Sequence, residues 1–217
     1  DWSWNLLTEV ERDVFAQLSV FRGPFQLVDA ETVLHRQGDQ PGAVSQSLQS
    51  LIDKSLVHSI PSEVPGFLLF ESLRLYAAQR LHEQPENALA AERRHQESYL
   101  DTYALMVDEI VAHGPCLLPE YPGIRANLTA AMERAVAREA WDVALRIAFG
   151  LVNLDTWSGV SIDTCLQRLD GFLSKSDVVD PVLYAKLQIR QAALLDRANR
   201  REEARRVGER GIELARQ

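Results

Sequence analysis

Five histidines, two cysteines and 31 carboxylates are the residues of this 217-residue chain with the chemistry to catalyse a reaction or hold a metal. Their spacing argues against both. His35, His58, His82, His95 and His113 form no His-Glu-x-x-His pair, and none stands beside a cysteine. Cys116 and Cys165 have no Cys or His neighbour at ligand spacing. Two reduced thiols are expected, with one disulfide as the alternative. Gly159-Val160-Ser161-Ile162-Asp163 places a glycine before a serine, but the second glycine of a nucleophile elbow is missing. No Gly-x-x-x-x-Gly-Lys-Ser/Thr run is present to cradle a phosphate. Among so many carboxylates chance neighbours carry no weight. The sequence therefore offers no catalytic, cofactor-binding or metal-binding residue.

Charge and composition narrow the partners. Hydrophobic residues make up 46% and charged residues 25%, as in ordinary globular domains. The net charge of −8 repels phosphate backbones over most of the surface. No apolar run approaches the roughly 20 residues that span a bilayer, and no leader pattern opens the chain. A cytoplasmic piece of a longer protein, without membrane contact, is expected.

Residues 1–84 read as one domain. Thr8 and Glu11 form a capping box before a helix whose apolar face is Val10, Val14, Phe15, Leu18 and Phe21. Helices over 28–35 and 43–54 follow. Leu56–Ile60 and Phe67–Phe70 read as a short hairpin around Pro61 to Gly66, and 71–83 is helical again. This order predicts a winged helix. Its third helix would be the recognition helix, offering Ser45, Gln46, Ser47, Gln49 and Ser50 but one cation, Lys54. Residues 1–83 hold 6 Lys or Arg against 11 Asp or Glu, so DNA is not the expected partner.

Residues 85–217 read as helical hairpins, with 85–120 as a connecting helix and loop. The helix is expected over 86–113. Further helices fit 123–138, 140–157, 162–174, 181–198 and 200–216. Trp141 and Trp157 fall on nearly opposite faces of their helix, which favours core packing over a shared platform. Asn127-Leu128-Thr129 matches a glycosylation sequon by coincidence. Arg200 to Arg206 is a charged, solvated face. The last pair of helices looks like a tetratricopeptide repeat. Ala192, Leu195, Ala204, Gly208 and Gly211 stand at its diagnostic positions and Asn199 at its turn. A pair around Ala131, Ala135 and Ala144 follows the same logic with Glu139 at the turn. The fold expected is mainly α: a winged helix with a short β-hairpin, then a tetratricopeptide-like hairpin array.

Taken in order, several segments resemble bacterial STAND proteins, the signal-transduction NTPases that include antibiotic-pathway regulators and large LuxR-type activators. The segments are Trp2-Ser3-Trp4-Asn5-Leu6-Leu7, Leu18 to Phe25, Leu51 to Val57, Phe70 to Ala77 and Asn127 to Met132 before Ala144-Leu145. The resemblance implies a non-catalytic regulatory module. Its winged helix would pack on an upstream NTPase core that binds ATP or ADP. Its repeats would receive a protein or small-molecule inducer. The Met-His-Asp motif of these relatives falls at Leu69, Phe70 and Glu71. Phe70 replaces the histidine and cannot hydrogen-bond a phosphate, so direct nucleotide contact is not expected; Phe70, Glu71 and Arg74 are the candidate contacts to the core, with an exposed helix arginine as the alternative for Arg74. The alternatives are a stand-alone repeat scaffold for a protein or peptide, and a winged-helix transcriptional regulator.

Overall fold

A computed structural model describes residues 2–34, 42–61, 65–101, 123–174 and 180–216. They form two compact units. The first runs to Asp101 and takes in the segment up to Ala131; the second runs from Met132 onward.

In the first unit, a short α1 (Trp2–Asn5) precedes α2 (Glu9–Leu18). Both bonds of the capping box are present. Glu11 N donates to Thr8 Oγ1 at 3.3 Å, and Thr8 N donates to a Glu11 carboxylate oxygen at 2.8 Å. Val14, Phe15 and Leu18 are buried, but Val10 is 64% exposed and does not belong to the inner face. After Gly23-Pro24 the chain forms β1 (Phe25–Gln26), which the sequence pattern did not reveal. Then come α3 (Leu27–Leu34), α4 (Ala43–Asp53), β2 (His58–Ile60), β3 (Gly66–Leu68) and α5 (Glu71–His82). The three strands form an antiparallel sheet in the order β1-β3-β2. Phe25 lies opposite Phe67, and Ser59 faces Phe67 from the other side. Helix, strand, two helices and two strands is the order of a winged helix.

α6 (Pro85–Tyr99) follows directly, with its proline in the first turn, where no backbone donor is needed. The remainder of the helix expected to 113 lies outside the described residues from 102 onward. α6 packs on α3. Arg94 fastens it there, donating to the Val33 carbonyl and, at 2.8 Å, to Gln17 Oε1. The core joins Phe15, Leu18, Phe21, Phe25, Val33, Leu48, Leu51, Leu81 and Tyr99. Phe21 stacks on Phe25, with centroids 4.2 Å apart.

The start of α7 (Ile124–Ala137) completes this unit. Asn127 is fully buried. Its Oδ1 accepts from Arg22 N at 2.8 Å and Gly23 N at 3.2 Å, and its Nδ2 donates to Pro24 O and Tyr99 Oη, both at 2.9 Å. Gly23 and Gly123 have no room for a side chain: a Cβ on Gly23 would lie 2.8 Å from Ala126 Cβ, and one on Gly123 would overlap the Pro24 backbone. The sequon is a buried clasp.

The second unit contains α8 (Trp141–Trp157), α9 (Ile162–Leu173), α10 (Pro181–Arg197) and α11 (Arg201–Ala215). Its core includes Leu145, Val152, Leu166, Leu169, Leu187, Leu194 and Ala204. Trp141 is half-buried; the side chain of Trp157 lies outside the description. Helix ends repeat one device. Ser55, Glu139, Gly159 and Asn199 all have positive φ, between 56° and 76°. The next residue's N–H then returns to a carbonyl five positions back, as in Leu56→Leu51, Ala140→Ala135, Val160→Asp155 and Arg200→Leu195. This left-handed C-cap satisfies carbonyls that a helix end leaves open. Gly211 admits close approach of α10 and α11: a Cβ there would lie 3.1 Å from Ile189 and 3.2 Å from Gln188 Cβ.

Candidate functional site

The sequence points first to α4, and its surface is partly used up internally. Gln46 and Gln49 are exposed, and Ser45 and Ser50 are half-covered, but Ser47 is buried and unavailable. It follows Val44 and precedes Leu48 on the inner face. Lys54 Nζ and Ser50 Oγ both contact the carboxylate of Glu11 on α2, and Lys54 also donates to Ser50 at 2.9 Å. The lysine contact, then the serine and backbone bonds, hold the Glu11 carboxyl down to about 2. Gln49 Nε2 donates to Asp53 Oδ1 at 2.9 Å. The cation of this helix is therefore paired, and Asp53 adds negative charge beside the exposed glutamines.

Phe70, Glu71 and Arg74 lie together where β3 turns into α5. Phe70 is half-exposed and rests on His58, with ring centroids 4.4 Å apart. Arg74 forks onto Glu71, donating at 2.9 and 2.7 Å. That pairing keeps Glu71 below the usual carboxylate range and pushes Arg74 further up. The Arg74 side chain is 14% exposed and that of Glu71 is 68% exposed. What the surface presents here is an aromatic ring beside a carboxylate, with the guanidinium behind it.

A cleft of about 560 Å³ lies beside α2. Arg12 and Arg80 flank the Trp4 ring in it, at 5.7 and 5.3 Å from its centroid. Arg12 donates to the Trp4 and Asn5 carbonyls, and Arg80 to Tyr76 and Glu83. Sequence reasoning passed over this arrangement because Trp4 and Arg80 are distant in the chain.

The residues weighed for catalysis have structural surroundings. Ser161 caps α9, accepting from Thr164 N at 3.2 Å. Cys165 is buried, and desolvation, then the charge of Asp155, raises its thiol pKa, which disfavours a thiolate. His95 is buried between the Phe21 and Tyr99 rings. His82 Nδ1 lies 2.6 Å from the Ala78 carbonyl. His35, His113 and Cys116 lie outside the described residues. Among the described residues, no three His, Cys, Asp or Glu side chains converge as metal ligands, and no helix is long and apolar enough to cross a membrane.

Three curated relatives, named provisionally as HTH-type transcriptional regulators, come from Mycobacterium bovis and two strains of Mycobacterium tuberculosis. Each is 35% identical over 102 residues, covering 46% of this chain and 11% of the relative. The chain thus spans about a tenth of the length of the relatives it matches. No solved structure matches. The family whose pattern does match is described as the winged helix-turn-helix domain, and residues 7–82 of this chain carry it.

Proposed function

We propose that this chain is a non-catalytic regulatory module of a STAND-type signalling NTPase. In this reading the winged helix docks on a protein core of the same parent chain, and the helical hairpins receive the signal. The observation that carries it is the Lys54–Glu11 pair. It takes the cation of the recognition helix away from any phosphate, while Gln46, Gln49 and Asp53 leave a polar, acid-tipped face. Phosphate contacts supply most of the affinity in DNA recognition, and this face offers little for them. Phe70, Glu71 and Arg74 are the proposed contacts to the core: an aromatic anchor beside a fixed ion pair suits a protein surface. The relatives carry most of their length outside the matched region, which accords with a winged helix joined to other parts. The tetratricopeptide likeness of α10 and α11 rests on Ala192, Ala204, Gly208, Gly211 and the left-handed Asn199.

The test is made in the parent protein. A P-loop and Walker-B segment encoded upstream is the first requirement. Removal of residues 132–217 should then abolish the response to inducer while ATP hydrolysis persists. No upstream NTPase, or no change in either property, overturns the reading.

A second reading has its own support. The relatives are named as transcriptional regulators, and a winged helix can dock its third helix in the major groove. It expects a DNA mobility shift whose affinity falls steeply between about 50 and 200 mM salt. The first reading expects no such shift.

A further inference from the structure

Where α8, α9 and α10 meet, charged groups surround one buried thiol, and their charges do not balance. The charges of Asp155, Arg168 and Arg190 all act on Cys165. Asp155 and Arg168 answer each other, because Arg168 Nη1 contacts the Asp155 carboxylate. Desolvation, then the charge of Asp155, raises the thiol pKa. Cys165 is therefore uncharged at neutral pH and offers Arg190 no counter-ion.

Arg190 is the group left over. It is half-buried on α10 and makes no hydrogen bond or ion pair among the described residues. Its Nε is buried with no acceptor, which closes the inner edge of the guanidinium to any ligand. The terminal Nη groups are the part left to solvent. Burial, then the charge of Arg197, lowers its pKa, and no carboxylate is among the groups that act on it. A cation desolvated along one edge and faced by a second cation is a costly arrangement.

That second cation stands seven residues further along α10. At 100° and 1.5 Å per residue the two arginines fall within about 20° of one line and about 10 Å apart along the helix. Ala193 lies between them, exposed, and its small side chain leaves the gap open. Arg197 is exposed as well and makes no hydrogen bond or ion pair among the described residues. The negative end of the α10 dipole lies nearby and opposes an anion, but more weakly than two charge-assisted hydrogen bonds favour one.

We propose that Arg190 and Arg197 form a cradle for the dianionic phosphate group of a phosphate monoester. Each guanidinium donates from its Nη groups to a different phosphate oxygen. With Asp155 and Arg168 cancelling, two positive charges remain. They match the dianion and exceed the single charge of a phosphodiester or a carboxylate. The face is exposed at Ala193 and Arg197, so it takes the phosphate group and leaves the rest of the ligand outside. The source is either a small phosphate ester or a phosphorylated side chain of a partner. The inference rests on the reading of the hairpins as the signal-receiving part, and it names the chemistry of the signal.

The test follows the arginine Nε–H signals of the full chain by NMR at about pH 7.5, where a phosphate monoester is largely dianionic. The sheltered Nε–H of Arg190 should stand apart from those of exposed arginines. The probes are inorganic phosphate, phenyl phosphate, a phosphoserine peptide and, as the singly charged control, dimethyl phosphate, all at one ionic strength. Inorganic phosphate should shift the Arg190 signal saturably at millimolar concentration, and dimethyl phosphate should bind at least about tenfold more weakly. Tighter binding of phenyl phosphate assigns the source to a small ester. Tighter binding of the phosphoserine peptide assigns it to a phosphorylated partner. Calorimetry reads the variants. Arg197→Gln should weaken phosphate binding at least about tenfold. Arg190→Met should do the same while Tm holds or rises, because an uncompensated charge leaves a half-buried position. Arg197 is exposed, so its variant keeps the test sound if Arg190→Met does not fold. No saturable shift up to about 10 mM phosphate, where any useful affinity would show, overturns the proposal. So does equal binding of monoester and diester, or binding untouched by both variants. The chain carries no P-loop, so none of these outcomes depends on an NTPase core. A failed cradle leaves the regulatory reading standing, and a failed inducer response in the parent protein leaves the cradle standing.

Discussion

The ammonium of Lys54 meets the carboxylate of Glu11 across two helices of the winged helix, 43 residues apart in sequence. Glu11 thus has two tasks. One oxygen closes the capping box of α2 and the other anchors the end of α4. A helix start and an interhelical contact depend on one side chain.

The acid titration of this pair is the first prediction. Glu11 is lowered from 4.5 to about 2. A depressed folded-state pKa adds stability in full above the unfolded value, and that stability is lost as pH falls through the folded one. Glu11→Gln should therefore cost about 1–2 kcal/mol at pH 7. In urea titrations the gap to the parent should close as pH drops from 4.5 toward 2. A gap constant across that window would mean that charge contributes nothing.

Asn127 gives the second. Replacing it by alanine removes an acceptor from two backbone N–H groups and a donor from Pro24 O and Tyr99 Oη. A loss of about 2–4 kcal/mol is expected, read by chemical denaturation. Asn127→Asp keeps the acceptor for the two amides but sets a buried carboxylate oxygen against the Pro24 carbonyl, and should lose at least as much at pH 7.

Glycines on helices supply the third. Gly171 meets nothing within 4 Å of a built Cβ, and Gly208 meets Ala192 at 3.4 Å, an ordinary contact. Alanine at either position should stabilise by roughly 0.5–1 kcal/mol. At Gly211 the Cβ would press on Ile189, Gln188 and the Ala185 carbonyl at 3.1–3.3 Å. There the propensity gain is offset, and Gly211→Ala should raise Tm by less than the other two.

A fourth concerns Glu139, held at φ 56°. Glycine adopts this conformation without strain, so Glu139→Gly should stabilise by up to about 1 kcal/mol. Glu139→Val, branched at Cβ, should lose at least as much.

Local rules made most of the helices legible. The capping box at Thr8 and the turn positions at Glu139 and Asn199 are short-range chemistry, and each is found where the pattern put it. What escaped is non-local. β1 is two residues long, and it exists because Phe25 and Gln26 pair with a strand some forty positions later. Ser47 looks like a surface serine in the sequence, and only the packing of α4 buries it. Asn127 carries a surface signature, while its four partners lie in other segments of the chain.

The clasp at Asn127 has a consequence for where this protein can be cut. Order along the gene and membership of a folding unit part company after Asp101, because the segment up to Ala131 returns to the first unit. A gene fragment stopped at 101 would leave the Arg22 and Gly23 amides and the Tyr99 hydroxyl without the side chain that joins them, and one stopped at 84 would lack Tyr99 as well.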